Sequence, residues 1–180
     1  GEAIFQGHRM KGAEALAAAG LKPIEFEARD GLATINGSNM TAGMGALELF
    51  DAQRLIKTSE IAAALTLEVL NANMAAYDER IHKVRGYAGA IACAENIRRL
   101  TAESEMLKQP GKKVQDAYAL RSTPQVVGGA KDALFWAREM FETELNGVGD
   151  NPLFFPEDQA YLTGANFQGT PLALALDLTG

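Results

Sequence analysis

The sequence predicts a mainly α-helical protein built as a bundle of long helices. Three observations support this class. Residues 46 to 85 contain neither glycine nor proline. A second stretch, beginning at Pro124, repeats apolar residues at nearly every fourth position, which is the spacing of one helical face. Strand-like alternation is limited to short segments near the start of the chain.

The first elements are short. A helix is expected over residues 10 to 19, because Gly20 and Pro23 follow it and both residues end helices. Lys22 to Ala28 alternates moderately and predicts a strand, while Ile4 and Phe5 indicate a short hairpin.

The longest predicted helix covers residues 46 to 85, with an interruption near Asn71 to Asn73. Thr41 or Asn39 is the expected cap at its start. Its apolar stripe is wide enough to be covered on several sides, as in the centre of a bundle. The stripe contains Ile61, Leu65, Leu67, Val69, Leu70 and Met74.

Two further helices are expected over Ala88–Lys108 and Pro124–Asn146. Pro110 and Gly111 end the first of them, and Thr123 is the natural cap of the second because proline suits the first helical position. The apolar tail that begins at Thr170 predicts a last helix.

Composition excludes several classes of function. A net charge of −6 and a pI near 5.0 argue against a nucleic-acid partner, and no apolar run has membrane length. The single cysteine, Cys93, excludes an internal disulfide and is expected to pack as a small apolar residue; a reducing cytoplasm fits this.

Histidine and glycine also carry expectations. His8 and His82 lack a second ligand at metal spacing, so no metal site is expected, and His82 is expected to be a cap or a surface residue. Two glycine pairs fit no phosphate-binding motif and are expected to let helices approach closely. They are Gly43 with Gly45, and Gly128 with Gly129.

The most informative segment for function places Gln115, Tyr118 and Arg121 three residues apart. If the segment is helical, the three side chains share one face. Arginine binds a carboxylate with two parallel hydrogen bonds, so this trio predicts a carboxylate pocket. The alternative is an exposed helix start with a solvated arginine.

Four short motifs occur in a fixed order. They are Asn36-Gly37-Ser38, Gln115-Asp116-x-Tyr118-x-Leu120-Arg121, Asp150-Asn151-Pro152 and Asn166-Phe167-Gln168-Gly169. Together with their flanking residues they resemble the histidine/phenylalanine (aromatic amino acid) ammonia-lyase family, and the resemblance covers the whole chain.

Members of that family make their electrophile, a methylidene-imidazolone ring (MIO), autocatalytically from an internal Ala-Ser-Gly tripeptide. No Ala-Ser-Gly occurs in these 180 residues. The resemblance therefore implies that residues 1–180 are part of one helical domain, the central portion of a longer enzyme, and that this chain alone is inactive.

The resemblance also implies two residues that act next to the MIO ring. Tyr118 matches a tyrosine close to the ring and the substrate. Asn36 matches an asparagine that hydrogen-bonds the MIO oxygen, and a donor aimed at an oxygen that gains charge stabilises a transition state.

Substrate binding is implied at four further matches. Arg121 corresponds to the arginine that pairs with the α-carboxylate of the substrate, and Gln115 and Asn151 to polar residues that tie the tyrosine group and the carboxylate together. Phe167 corresponds to an aromatic residue beside the ring.

The implied reaction eliminates ammonia from Phe, Tyr or His and yields an α,β-unsaturated acid. Gln168 and Ser122 stand where histidine-specific members usually have histidine and cysteine, which favours Phe or Tyr. An aromatic 2,3-aminomutase has the same motifs. The alternative outside enzymology is a non-catalytic helical oligomerisation scaffold. Family members are homotetramers in which each site draws on several subunits.

Overall fold

The computed structural model describes all 180 residues and confirms the mainly helical class. The chain divides into two compact units, Gly1–Asn36 and Gly37–Gly180. None of the helices combines the length and the apolar character that crossing a bilayer requires.

The first unit begins with an antiparallel hairpin of β1 (Glu2–Phe5) and β2 (His8–Lys11). Its two-residue turn, Gln6–Gly7, has positive φ at both positions (49° and 82°), as a tight type I′ turn requires. The predicted hairpin at Ile4–Phe5 is therefore confirmed.

Two short helices complete this unit, α1 (Gly12–Ala18) and α2 (Asp30–Ala33). The strand predicted over residues 22–28 is wrong, because residues 21–27 form no regular element. The only sheet of this unit contains β1 and β2, so the segment has no strand to pair with, and Pro23 lacks the N–H that a ladder needs.

The second unit is organised around α3 (Asn39–Val69), which is 31 residues long. The predicted interruption is confirmed. Asn71 adopts a left-handed φ of 47°, and its N–H and that of Ala72 bond back to the carbonyls of Glu68 and Leu67, which is a Schellman ending. The predicted caps Thr41 and Asn39 are wrong, because Ser38 occupies the cap position and its hydroxyl makes no cap hydrogen bond.

The remaining α-helices and strands are α4 (Glu79–Arg85), α5 (Ala88–Leu100), α6 (Tyr118–Arg121), α7 (Thr123–Asn146), β3 (Leu153–Phe155), β4 (Ala160–Leu162) and α8 (Thr170–Thr179), and three short 3₁₀ helices lie at Met74–Tyr77, Met106–Lys108 and Pro156–Asp158. The helices predicted from Pro124 and from Thr170 are confirmed, although Ser122 rather than Thr123 holds the cap position of α7. The expected extension of α5 to Lys108 is wrong. Its last turn closes at Thr101, whose hydroxyl bonds back to the Ile97 carbonyl at 2.8 Å.

Two clusters of buried side chains hold this unit together. One joins α3, α7 and α8, and the other joins α3 and α5 to the turn that follows α3. Gly128 lets α5 and α7 meet, since a Cβ there would lie 2.4 Å from the Ala90 nitrogen. Gly45 similarly faces the Phe141 ring, whereas Gly43 and Gly129 face open space, so each predicted pair is half right.

A buried ion pair links the three central helices. Glu60 of α3 is 1% exposed, and its carboxylate accepts hydrogen bonds of 2.6 Å from Lys131 of α7 and from Asn96 of α5. Cys93 lies beside it, fully buried as predicted, and this burial raises the pKa of its thiol to about 12. His82 is also buried, with Nε2 donating to the Ala76 carbonyl at 3.1 Å, so its prediction as a cap or surface residue is wrong.

One face of α3 is apolar and exposed. Ile61, Leu65 and Val69, which the sequence places on a covered stripe, are 49%, 59% and 72% exposed in this chain. Leu67, on the opposite side, is buried. The chain therefore covers only part of the apolar surface of its longest helix.

Candidate functional site

The segment with Gln115, Tyr118 and Arg121 is only partly helical. Helix α6 begins at Tyr118, so Gln115 lies in the preceding loop. The prediction that the three side chains share one helical face is therefore wrong. Tyr118 and Arg121 do belong to one turn. The guanidinium carbon of Arg121 lies 5.2 Å from the centroid of the Tyr118 ring, within the range of a cation–π contact.

Gln115 and Arg121 instead meet at a cavity of about 320 Å³. The remaining lining residues are Asn73, Ala75, Ala76, Ile81, Val114, Asp116 and Gln125. Arg121 forms no ion pair within the chain. A guanidinium exposed beside several amide groups suits a carboxylate ligand, which accepts two of its N–H groups at once.

The cavity loop is attached to the end of α3 by hydrogen bonds that the sequence did not predict. Asp116 Oδ2 accepts from the backbone N–H of Asn73 at 2.6 Å. The Asn73 side chain donates to the carbonyl of Lys113 at 3.0 Å and to that of Val114 at 3.3 Å. Asn73 is thus paired along three residues of the loop, which sets the position of Gln115.

The buried side chain of Tyr77 supports α6 through a hydrogen bond to its backbone. The Tyr77 hydroxyl donates to the Leu120 carbonyl at 2.5 Å, one residue before Arg121. Burial raises the pKa of Tyr77, so the hydroxyl keeps its proton. Asp116 stands inside a motif visible in the sequence, whereas Tyr77 has no sequence signal beyond being aromatic.

Asn151 and Phe167 belong to a different region, which contains the β3–β4 hairpin. The Asn151–Pro152 peptide bond is cis, and Asn151 Oδ1 accepts from the Gly164 N–H at 2.7 Å. Phe167 is half-buried in the loop that leads into α8, as the sequence predicts. Neither residue lines the cavity of Arg121.

Contacts at the C-terminal end of α7 bring the other motifs together. The Ser38 hydroxyl donates to the Glu144 carboxylate, and a Cβ at Gly169 would lie 3.4 Å from the Ser38 Cβ. Ser38 follows Asn36-Gly37, and Gly169 ends the motif with Phe167.

Helix α7 separates the two groups of candidate residues within one chain. Arg121 lies just before its first residue, whereas Glu144, Ser38 and Gly169 lie at its last turn. A helix of 24 residues rises about 36 Å.

Asn36 is the last residue of the first unit. It is exposed, its backbone N–H donates to the Leu32 carbonyl at 2.8 Å, and its side chain makes no hydrogen bond in the structure. Its amide is therefore available as a donor.

Comparison with known proteins matches residues 1–180 to the family described as aromatic amino acid lyase. Histidine ammonia-lyase of Alkaliphilus oremlandii is 47% identical over 181 residues, which cover 100% of this chain and 36% of that protein. Histidine ammonia-lyase of Symbiobacterium thermophilum is 47% identical over 178 residues, covering 98% of this chain and 35% of that protein. The chain thus spans about a third of the length of these relatives.

Among solved structures, phenylalanine aminomutase of Pantoea agglomerans superposes with a TM-score of 0.88 at 28% identity. The match covers 99% of this chain and 38% of that one. The helical arrangement described above is therefore the fold of this enzyme over the matched part.

Proposed function

The chain belongs to the aromatic amino acid lyase family, and from that membership we propose that it forms part of an ammonia-lyase acting on an aromatic amino acid. In this reaction a proton leaves Cβ, and the electron pair of that C–H bond forms the double bond between Cα and Cβ. The Cα–N bond breaks, so ammonia leaves and an α,β-unsaturated acid remains. The chain supplies groups that hold the substrate while this happens.

One observation carries the proposal: Arg121 has no acidic partner and lines a cavity of about 320 Å³ together with Gln115. The cavity contains one carboxylate, that of Asp116, which is occupied by the Asn73 N–H. An α-carboxylate entering there would bind Arg121 through two parallel hydrogen bonds, with Gln115 as a neutral neighbour. When the carboxylate end of the substrate is held in place, its reacting carbons are also fixed in position, which lowers the activation barrier of the elimination.

Tyr118, Asn36 and Phe167 are proposed to surround the MIO ring. When present, that ring supplies an electrophile for the amino group of the substrate. The side chains suit this role, because Tyr118 is 71% exposed and the Asn36 amide has no partner within the chain. Asn36 would donate to the oxygen that gains charge, and Phe167 would exclude water.

Asn151 is proposed to contribute from the end of α7 opposite Arg121. Its Oδ1 accepts a hydrogen bond from the Gly164 N–H at 2.7 Å, which fixes the orientation of the Asn151 side chain. Its partner in the assembled site would be the carboxylate or Tyr118 of another copy.

Histidine is the substrate to test first, because the relatives at 47% identity are named histidine ammonia-lyases. Gln168 and Ser122 still favour Phe or Tyr for the reasons given above. The two indications point to different substrates, so a direct comparison of the three amino acids decides between them.

A second candidate function is an aminomutase, in which ammonia returns to Cβ and yields a β-amino acid. The similarity to phenylalanine aminomutase of Pantoea agglomerans supports it. The residues proposed to bind the carboxylate serve both reactions, so they do not separate the two.

Assembly into a homotetramer is proposed on the exposed face of α3. Ile61, Leu65 and Val69 present an apolar surface that a partner helix would cover. A cytoplasmic location stays a prediction.

The full-length enzyme tests these proposals. It is incubated with His, Phe and Tyr in turn, while released ammonia, the ultraviolet absorbance of the unsaturated acid and any β-amino acid are measured. We expect ammonia and unsaturated acid in equal amounts from at least one substrate. A β-amino acid as the main product would favour the aminomutase, and no turnover of any of the three would leave the helical scaffold as the better description.

A further inference from the structure

Gln125, in the first turn of α7, has a side-chain oxygen without a hydrogen-bond donor. Its Oε1 is buried and accepts no hydrogen bond in the structure, and it is the only such side-chain atom in the chain. An unpaired buried oxygen costs about 1–3 kcal/mol, so native proteins nearly always supply a donor. A donor that arrives or turns towards Gln125 would recover that cost.

Gln125 and Arg121 line the same cavity of about 320 Å³. They are four residues apart along a nearly continuous helical path, since Ser122 N–H donates to the Tyr118 carbonyl at 2.9 Å and Val126 N–H to the Ser122 carbonyl at 3.1 Å. Residues with this spacing lie on one helical face.

The side chains of Arg121 and Gln125 have complementary hydrogen-bonding groups. Arg121 carries five N–H donors and no acceptor, and a substrate carboxylate would take two of them. Its guanidinium rests over the Tyr118 ring at 5.2 Å, a weak contact that leaves the donors unpaired. Gln125 Oε1 is an acceptor without a donor.

We propose that Gln125 is a positioning residue for Arg121. Its Oε1 accepts a hydrogen bond from one guanidinium N–H while the N–H groups opposite hold the substrate carboxylate. This proposal rests on the carboxylate-binding role proposed for Arg121, and it adds a residue to which neither the motifs nor the family resemblance assigned a role.

Other donors stand near Gln125, and they define the competing structural role. Gln125 also lines a second cavity, of about 150 Å³, with His82 and Arg85. His82 Nε2 is already paired with the Ala76 carbonyl, and the Arg85 guanidinium lies over the Tyr87 ring at 5.2 Å. If Gln125 served Arg85, its loss would lower stability and leave ligand binding unchanged.

The experiment uses the full-length enzyme and two probe ligands for its preferred substrate. The first is the saturated 3-arylpropanoate, a carboxylate without an amine, and the second is the 2-arylethylamine, an amine without a carboxylate. Gln125→Leu and Gln125→Met remove the amide acceptor, whereas Gln125→Asn keeps a neutral amide oxygen one methylene shorter. Inhibition constants and melting temperatures are measured for all three and for Arg121→Ala.

We expect Gln125→Leu and Gln125→Met to weaken the acid about tenfold, the usual effect of losing a hydrogen bond to a charged group. The amine should bind within about twofold of wild type, since its binding does not use Arg121. Gln125→Asn should recover part of the acid binding, because it keeps a neutral amide acceptor one methylene shorter. In the Arg121→Ala background, Gln125→Leu should add nothing, because the group it positions is gone.

Each contrary result has one meaning. If Arg121→Ala leaves acid binding unchanged, the proposed role of Arg121 is overturned. If Arg121→Ala weakens the acid but the Gln125 variants do not, or if they weaken both ligands equally, only the positioning role is overturned. A lower melting temperature with unchanged acid binding assigns Gln125 to the interior alone.

Discussion

The carboxylate of Asp116 accepts a hydrogen bond of 2.6 Å from the backbone N–H of Asn73, which lies 43 positions earlier in the chain. The bond connects the end of the longest helix to the loop that carries Gln115. Because an ionised acceptor makes this bond stronger than one between neutral groups, it fixes the lining of the cavity on a rigid element.

Replacing Asp116 with alanine should release that loop. In the full-length enzyme we expect Asp116→Ala to raise KM several-fold and to lower the melting temperature by a few degrees, since one charge-assisted hydrogen bond contributes about 1.5–3 kcal/mol. Asp158→Ala, in an exposed turn of the hairpin, is the matched control and should behave as wild type. Equal kinetics for the two variants would show that Asp116 does not support the site.

Arg121→Ala should strongly lower kcat and raise KM. Loss of a charge-assisted partner costs about 1.5–3 kcal/mol, or roughly 10- to 150-fold in kcat/KM. Arg121→Lys should recover only part of this, because lysine cannot form the two parallel bonds. Arg138→Ala, whose arginine pairs with Glu142 on the surface of α7, is the control. An unchanged kcat/KM in Arg121→Ala removes the residue from the site.

Adjacent glycines of α7 should respond in opposite directions to alanine. A Cβ at Gly128 would lie 2.4 Å from the Ala90 nitrogen, so Gly128→Ala must push α5 away, whereas a Cβ at Gly129 meets nothing within 4 Å. Gly129→Ala should stabilise the protein by about 0.5–1 kcal/mol, the helix preference of alanine over glycine. Urea unfolding measures both, and a stable Gly128→Ala variant would contradict the close approach of the two helices.

The long helices were predictable from local patterns, although their cap residues and the end of α5 were not. The apolar spacing from Pro124 predicts α7 to within one residue, and Asn71, which tolerates a left-handed φ, marks the end of α3. The β3–β4 hairpin was not predicted, because its strands have three residues each and are too short for alternation to be visible.

Removing one partner of the buried ion pair should lower the free energy of unfolding more than replacing both partners. Lys131→Met leaves the Glu60 carboxylate buried without its cation, which typically costs about 3–5 kcal/mol. The double variant Glu60→Leu with Lys131→Met removes both charges and should be the more stable of the two. Chemical unfolding of the full-length enzyme measures the difference. A double variant that is less stable than Lys131→Met would mean that Glu60 is held mainly by Asn96.

Cys93 should make the protein less stable at alkaline pH. Its folded pKa is about 12, against an ordinary value of 9.0, so between these values the unfolded state loses a proton that the folded state keeps. Stability is therefore complete below pH 9 and falls as the pH rises towards 12. Cys93→Ala should show a shallower decline in urea unfolding between pH 8 and 11. Identical slopes would contradict the shift.

The candidate site was less predictable than the fold, for a physical reason. Gln115 and Arg121 follow from the motif, but the support they receive from Asn73 and Tyr77 comes from parts of the chain more than 40 positions away. Periodicity reports only neighbours along a helix. The unpaired oxygen of Gln125 becomes visible only when burial is known.

The length of α7 has a consequence for how activity arises. If Arg121 and Phe167 serve one reaction, a single folded chain keeps them about a helix length apart, roughly 36 Å, and no local motion closes that distance. A newly made subunit would then be folded but catalytically inactive, and ammonia would be released only after subunits associate. Dilution would switch the enzyme off by mass action without unfolding any of its chains.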